Sequence, residues 1–478
     1  MTASRVNAIA IAVFGTAVAL ACVSLAIRLS FVSELPNEGW NAIHAVHAFS
    51  RELYPDPSRG IINNYPPLWA YLTGALAKMF GDPIFPGRVV AAFSGLALAP
   101  VTYALARRLQ ASAAGALIAA GWLVIVLTVQ FEAQFGNAEP NLIAALLMLT
   151  GALLAVSAQT RGMVVASALV MVAAGLFKHN PIGFPFATAI WLLLYRRRLL
   201  LPWLLTGVGA AAIALAALYA GYGSAFLANI TVPRELTVSR LFTNLAQSWR
   251  AVVPLAGLAW LVAHARRQGR LADERIGFVL LAVAGGLLEI LLFGGALGVS
   301  INIAFTLMIA SALALALFWT RLQQAMPERW SVHALVAALL LLRALVNTGG
   351  EVWRPVFERE ARQELAQQES HLIALRDALK SLPGPVACEF MSVCLWAGHA
   401  SAVDLWKLRH ERTLARIVDR DAVLRRIAGG EFAAVMLFGR FADGNLPGLG
   451  AALQACCGEP RVIGDATLLL RRDLAQPP

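Results

Sequence analysis

The sequence predicts an α-helical polytopic membrane protein with about eleven spans, followed by a small α/β domain. Three observations predict it. Of its 478 residues, 59% are hydrophobic and only 14% are charged, where soluble chains carry about a quarter. Apolar stretches of roughly 17–25 residues, the length that crosses a bilayer as a helix, recur along the first 347 positions. After them apolar runs shorten, charges rise, and strand and helix patterns alternate, the sign of a separate α/β unit. The formal charge of +11 is no nucleic-acid signature, because the basic residues sit in short clusters between apolar runs.

In chain order the spans fall near 7–28, 88–106, 112–130, 140–158, 163–178, 181–195, 200–222, 250–265, 276–293, 300–320 and 331–347. The first continues past Ala21-Cys22 to Ile27, so it is read as a full span, not a cleaved leader. Every second loop holds Arg5, Arg107-Arg108, Arg161, Arg196 to Arg198, Arg266-Arg267 or Arg321, which places those loops in the cytoplasm. The other loops hold Glu38, Glu139, Lys178 and the segment 223–249, and face outward. An odd span count leaves the N-terminus cytoplasmic and the C-terminus extracytoplasmic, in a cytoplasmic membrane.

The first outer loop, 29–87, is long and structured in composition. His44, Ala45, Ala48 and Phe49 suggest a short amphipathic helix after Glu38. Pro66-Pro67 opens an apolar stretch, Leu68 to Phe80, too short to span and rich enough in aromatics to lie at the interface. In the tail, 356–382, 419–428 and 446–456 read as helices. Pro385–Met391, Ala433–Phe438 and 466–471 read as strands. The domains are therefore 1–347 and 348–478. Four of the five cysteines lie in the tail. An oxidising compartment permits a bridge between the Cys388–Cys394 region and the vicinal Cys456–Cys457 pair, but spacing fixes no pairing.

Two acids carry the chemical interest. Glu38, beside Gly39, is a carboxylate at a membrane–water boundary that can approach a substrate and accept a hydroxyl proton; a solvated loop glutamate is the bland alternative. Glu139 directly precedes Pro140 and a span, where a helix dipole favours an anion. It is a helix cap or a partner of Glu38, and the two acids leave room for a divalent cation. Lys178, in Lys178-His179-Asn180, stands between two spans, where an ammonium calls for an anion such as a lipid phosphate or one of the acids. His44 and His47 share a helix face. Arg88, Arg234, Arg240 and Arg250 depart from the positive-inside trend and are phosphate candidates. Glu289 is a charge late in the ninth span. P-loop, HExxH, GxSxG and dinucleotide motifs are absent, which argues against a nucleotide-driven transporter.

The ordered set Asn37-Glu38-Gly39-Trp40-Asn41-Ala42, His44-Ala45, Leu53-Tyr54-Pro55, Asn63-Asn64-Tyr65-Pro66-Pro67-Leu68 and Gly87-Arg88 resembles the first outer loop of GT-C membrane glycosyltransferases. That superfamily includes protein O-mannosyltransferases and aminoarabinose transferases. The resemblance continues at Asn137 to Pro140, at Lys178-His179-Asn180, and at Cys388-Glu389 with Cys394 to Gly398. It implies a polyprenyl-phosphate sugar donor taken from the bilayer, and a glycan, lipid or protein acceptor at the outer face. It implies Glu38 as general base, Glu139 as the acid opening the fourth span, and Lys178 facing the lipid phosphate. Arg88, Tyr65, His44, His179, Asn180, Arg234 and Arg240 complete the substrate-binding set. Many relatives carry Asp-Glu or Asp-Asp where this chain has Asn37-Glu38, which leaves the geometry of the base open. The alternative function is a transporter or flippase of a lipid-linked sugar, which would place its charges within spans.

Overall fold

Helices fill every stretch read as a span. The structure, a computed structural model, describes residues 2–30, 36–268, 273–345, 354–399, 402–410, 418–439 and 446–475. The boundary drawn between residues 347 and 348 lies outside them.

The helices run α1 (Thr2–Ser30), α2 (Pro36–Val46), α3 (Leu68–Phe80), α4 (Ile84–Arg108), α5 (Ala113–Ile125), α6 (Asn141–Ser157), α7 (Arg161–Phe177), α8 (Gly183–Tyr195), α9 (Arg197–Tyr222) and α10 (Ser224–Ile230). They continue as α11 (Val238–Ala246), α12 (Val252–Arg267), α13 (Glu274–Phe293), α14 (Phe305–Ala325), α15 (Trp330–Leu345), α16 (Arg354–Phe357) and α17 (Arg359–Lys380). Seven stretches among the described residues are long and apolar enough to cross a bilayer; Asn141–Ser157, Arg161–Phe177, Gly183–Tyr195 and Trp330–Leu342 are shorter apolar helices.

Burial sorts them. The apolar window of Ala113–Gln130 is 89% buried and that of Ile301–Ala325 is 83% buried, whereas that of Arg197–Tyr222 is 6% buried. A helix this apolar with no protein around it is at ease only in lipid. The two central helices hold the main core, with Trp122, Leu313 and Trp319 inside. Ser112 donates its backbone N–H to Thr320 Oγ1 at 2.8 Å, and Arg196 pairs with Glu274 at 3.3 Å. The loops read as cytoplasmic thus meet in pairs.

The other end carries α2, α3 and the tail. Two prolines precede α3, and Pro67 caps it, as the sequence predicts. Glu38 differs: it lies in the first turn of α2, not in a loop before it. In the tail, β1 (Val386–Cys388) pairs parallel with β2 (Ala434–Phe438), β2 antiparallel with β4 (Ala466–Leu470), and β4 antiparallel with β3 (Arg461–Ile463). The order is β1-β2-β4-β3. Period-two alternation splits β2 between two cores. Val435 and Leu437 face α20 (Arg420–Ala428) and α21 (Leu449–Cys456), while Ala434 and Met436 face α17. The sequence reading runs the first strand too far, since Met391 already opens a helix, α18 (Met391–Trp396), and it misses β3. The disulfides are local: Cys388–Cys394 and Cys456–Cys457. No bridge joins the two regions.

The tail sits on the first loop. The Asp404 backbone N–H donates to Gly60 O at 2.9 Å, and Arg426 Nη1 donates to Arg59 O at 3.2 Å. Gly39 of α2 touches Ser392 of α18 so closely that a Cβ would lie 2.3 Å from the Ser392 nitrogen. The glycine serves helix-on-helix docking, a correction to the expectation that it admits a substrate.

Candidate active site

The site is assembled where α2 meets the segment between α5 and α6. A π-turn, Val126–Gln130, ends α5 and redirects the chain. Residues 131–140 then cross the end of the bundle, with Gly136 at φ +75° making a turn that favours glycine. This crossing delivers Gln134, Asn137 and Glu139.

Glu38 is buried at 2% exposure. Its Oε1 accepts from Arg88 Nε at 2.8 Å and from the Ala138 backbone N–H at 2.9 Å, and its Oε2 accepts from Arg88 Nη2 at 2.5 Å. Paired this way, the fork-shaped guanidinium occupies both oxygens. Glu139 is equally buried. Its Oε1 accepts from Asn137 Nδ2 at 3.2 Å, and its Oε2 accepts from Asn141 Nδ2. Burial pushes its pKa up, while Lys178 and Asn37 pull it down. Lys178, just past the end of α7, donates to Asn141 Oδ1, and burial lowers its pKa to about 8 against the pull of Glu139. Asn141 thus bridges the acid and the cation, and its place in the first turn of α6 is dictated by the helix start at Pro140.

A cavity of about 240 Å³ opens beside this network, lined by Asn37, Trp40, Asn64, Tyr65, Ala133, Gln134, Asn137, Arg234, Arg240, Gly298, Ser300, Trp406 and Lys407. Among the described residues, no lining residue is acidic. Arg240 Nε donates to Val299 O at 3.0 Å. Lys178 Nζ lies 5.3 Å from the centre of the Tyr65 ring. Arg234 is close enough for its charge to lower the Lys178 pKa.

The family model for dolichyl-phosphate-mannose-protein mannosyltransferase matches residues 64–220. Among solved structures, ArnT from Cupriavidus metallidurans bound to undecaprenyl phosphate superimposes with TM-score 0.62 at 14% identity, covering 98% of this chain and 99% of that one. Its apo state gives 0.63 at 15%, over 97% and 98%. The oligosaccharyltransferase AglB from Archaeoglobus fulgidus, in complex with an inhibitory peptide and a dolichol-phosphate, gives 0.50 at 14%, over 98% of this chain and 75% of that one. The family model spans about a third of the chain. No curated protein matches the chain in sequence. At such identities the likeness to these solved structures is one of fold.

In this fold Glu38, Glu139, Lys178, Tyr65, Arg234 and Arg240 do come together. Arg88 is not available for phosphate, since it holds Glu38. His44 is buried edge-on to Trp40, with ring centres 4.6 Å apart, and burial lowers its pKa well below the usual value. It supports the Trp40 wall without lining the cavity. His179, next to Lys178 in sequence, is exposed and outside the lining. Asn180 lines a small neighbouring cavity with Lys178 and Glu289. Glu289 is a helix clasp: it accepts from the Gly183 backbone N–H at 3.0 Å and from Thr306 Oγ1 at 2.9 Å.

The residues do not fit a divalent cation. Arg88 already neutralises Glu38, and among the described residues no group of three or more His, Cys, Asp or Glu is gathered to ligate one. The His44–His47 pair gains no third ligand. Sequence reasoning missed Asn141, Gln134, Trp406 and Lys407. Asn141 was findable as the polar residue two beyond Glu139. Lys407 had no signal, because only folding brings residue 407 to residue 40.

Proposed function

We propose that this protein transfers a sugar from a polyprenyl-phosphate donor to an acceptor hydroxyl at the outer face of a bacterial cytoplasmic membrane. The observation that carries the reading is a cavity lined by Arg234 and Arg240, without a carboxylate in its lining, beside the Lys178–Asn141–Glu139 network. The family match and the lipid phosphates bound by ArnT and AglB support it.

In the reaction the acceptor oxygen attacks the anomeric carbon, the carbon–oxygen bond to phosphate breaks on the opposite face, and configuration inverts. The acceptor proton passes to a carboxylate, and the departing phosphate, gaining charge, is met by Lys178 and Arg234. The sequence alone nominates Glu38 as the base. The contacts favour Glu139. Glu38 has both oxygens engaged by the Arg88 guanidinium, and its Oε1 also accepts from the Ala138 backbone N–H. Glu139 is held by neutral amides, retains acceptor capacity, and is pushed by burial toward a higher proton affinity. Glu38 then acts as a positioning residue, fixing Ala138 and so the backbone before Glu139.

Purified protein in lipid nanodiscs, supplied with polyprenyl-phosphate sugars, is expected to turn over. Glu139→Gln should slow transfer by at least about 100-fold with the fold intact. Near-normal turnover of that variant returns the base to Glu38. Movement of the lipid-linked sugar across vesicles without transfer establishes the flippase alternative.

A further inference from the structure

The cavity wall is completed by the tail. Lys407, on α19 (Leu405–His410), lays its ammonium 3.6 Å from the centre of the Trp40 ring. Trp40 meets Tyr65 edge-on at 5.0 Å, and Tyr65 in turn lies 5.3 Å from Lys178 Nζ. Two rings thus form a ledge with a lysine at each end, one from the membrane helices and one from the tail. The Trp40 indole N–H is buried and has no hydrogen-bond acceptor among the described residues. Lys407 Nζ forms an ion pair with Asp404 Oδ2 at 3.7 Å. Asp404 lies outside the cavity lining, and its Oδ1 is engaged by the Lys407 backbone N–H at 3.0 Å.

We infer that Lys407, together with the Trp40 N–H, is a subsite for a second anionic group, a carboxylate or phosphate carried by the transferred sugar or by the acceptor. This rests on the donor phosphate lying at the Lys178 end. Aromatic rings suit the apolar face of a sugar, and Trp40, Tyr65 and Lys407 line the same cavity. A lysine serving only to tie the tail to Trp40 through its cation–π contact would leave the affinity for anions unchanged when replaced, and that difference makes the inference testable.

The test uses the full-length protein in nanodiscs and the variants Lys407→Met, which keeps the stem on Trp40, and Lys407→Arg. Probes are undecaprenyl phosphate, polyprenyl-phosphate glucose, polyprenyl-phosphate glucuronate, and soluble glucuronate and glucose 6-phosphate against glucose. Lys407→Met should weaken binding of an anionic sugar probe by about tenfold or more, the scale of one charge-assisted hydrogen bond, and leave undecaprenyl phosphate within about twofold. Lys407→Arg should recover part of the loss. Loss confined to the polyprenyl-phosphate glucuronate donor places the anion on the transferred sugar. Loss of soluble glucuronate or glucose 6-phosphate binding, with polyprenyl-phosphate glucose already bound, places it on the acceptor. Unchanged affinity for every anionic probe overturns the inference, as does equal weakening of undecaprenyl phosphate. Wild-type protein that fails to bind undecaprenyl phosphate but binds soluble anions through Lys407 overturns the donor reading instead.

Discussion

Glu38 and Glu139 are two buried carboxylates linked through the backbone of Ala138, and their surroundings could hardly differ more. Glu38 faces a guanidinium in bidentate contact. Glu139 faces amides, with its countercharge one residue removed at Lys178. A carboxylate locked to arginine stays put, which suits scaffolding. One held by neutral donors in a desolvated place can take and release a proton. The difference teaches that two equally buried acids are set in different chemical roles by their partners. Folding supplies those partners.

The largest expected effect separates the two acids by stability. Glu38→Gln leaves Arg88 buried without its counterion and should cost about 3–5 kcal/mol. The double variant Glu38→Gln/Arg88→Met should recover much of that, as read by thermal unfolding in detergent. Glu38→Gln that melts like the parent yet loses turnover would reverse the roles assigned to the two acids.

A smaller effect tests how the scaffold around Glu38 is held. Gly39→Ala places a methyl 2.3 Å from the Ser392 nitrogen, a backbone atom that cannot rotate away. The expected cost is about 1–3 kcal/mol, seen as faster proteolysis of the tail with the membrane helices still folded. An undisturbed tail would show that α2 and α18 tolerate a shift.

The smallest effect concerns the cation near Glu139. Burial brings Lys178 to about 8, so its ammonium persists below that pH and is lost above it. Affinity for undecaprenyl phosphate should therefore fall as pH rises from 7 to 9, by up to about tenfold, the change in protonated fraction. Lys178→Arg should flatten the profile, since arginine stays charged. A wild-type profile as flat as that of the arginine variant would remove Lys178 from the phosphate site.

Much of this was legible in the chain. Apolar length located the helices, Pro66-Pro67 marked the start of α3, and alternating apolar residues exposed the two-faced strand β2. These are local signals, written within one turn or one strand. The acids and Lys178 were visible because charge beside a span is costly and therefore conspicuous. What the local signals lacked was partnership. Gly39 looked like room for a substrate and proved to be a docking point, Arg88 looked free and proved committed, and the cysteines left their pairing open. Sequence by itself determined the membrane-spanning class, the outline of the tail and the candidate charges, because hydrophobic length and period act over neighbouring residues. Tertiary structure alone decided which charge neutralises which, and that a lysine from the tail shares a wall with Trp40. Those pairings join residues tens to several hundred positions apart, and only the packing of helices and tail brings them within reach.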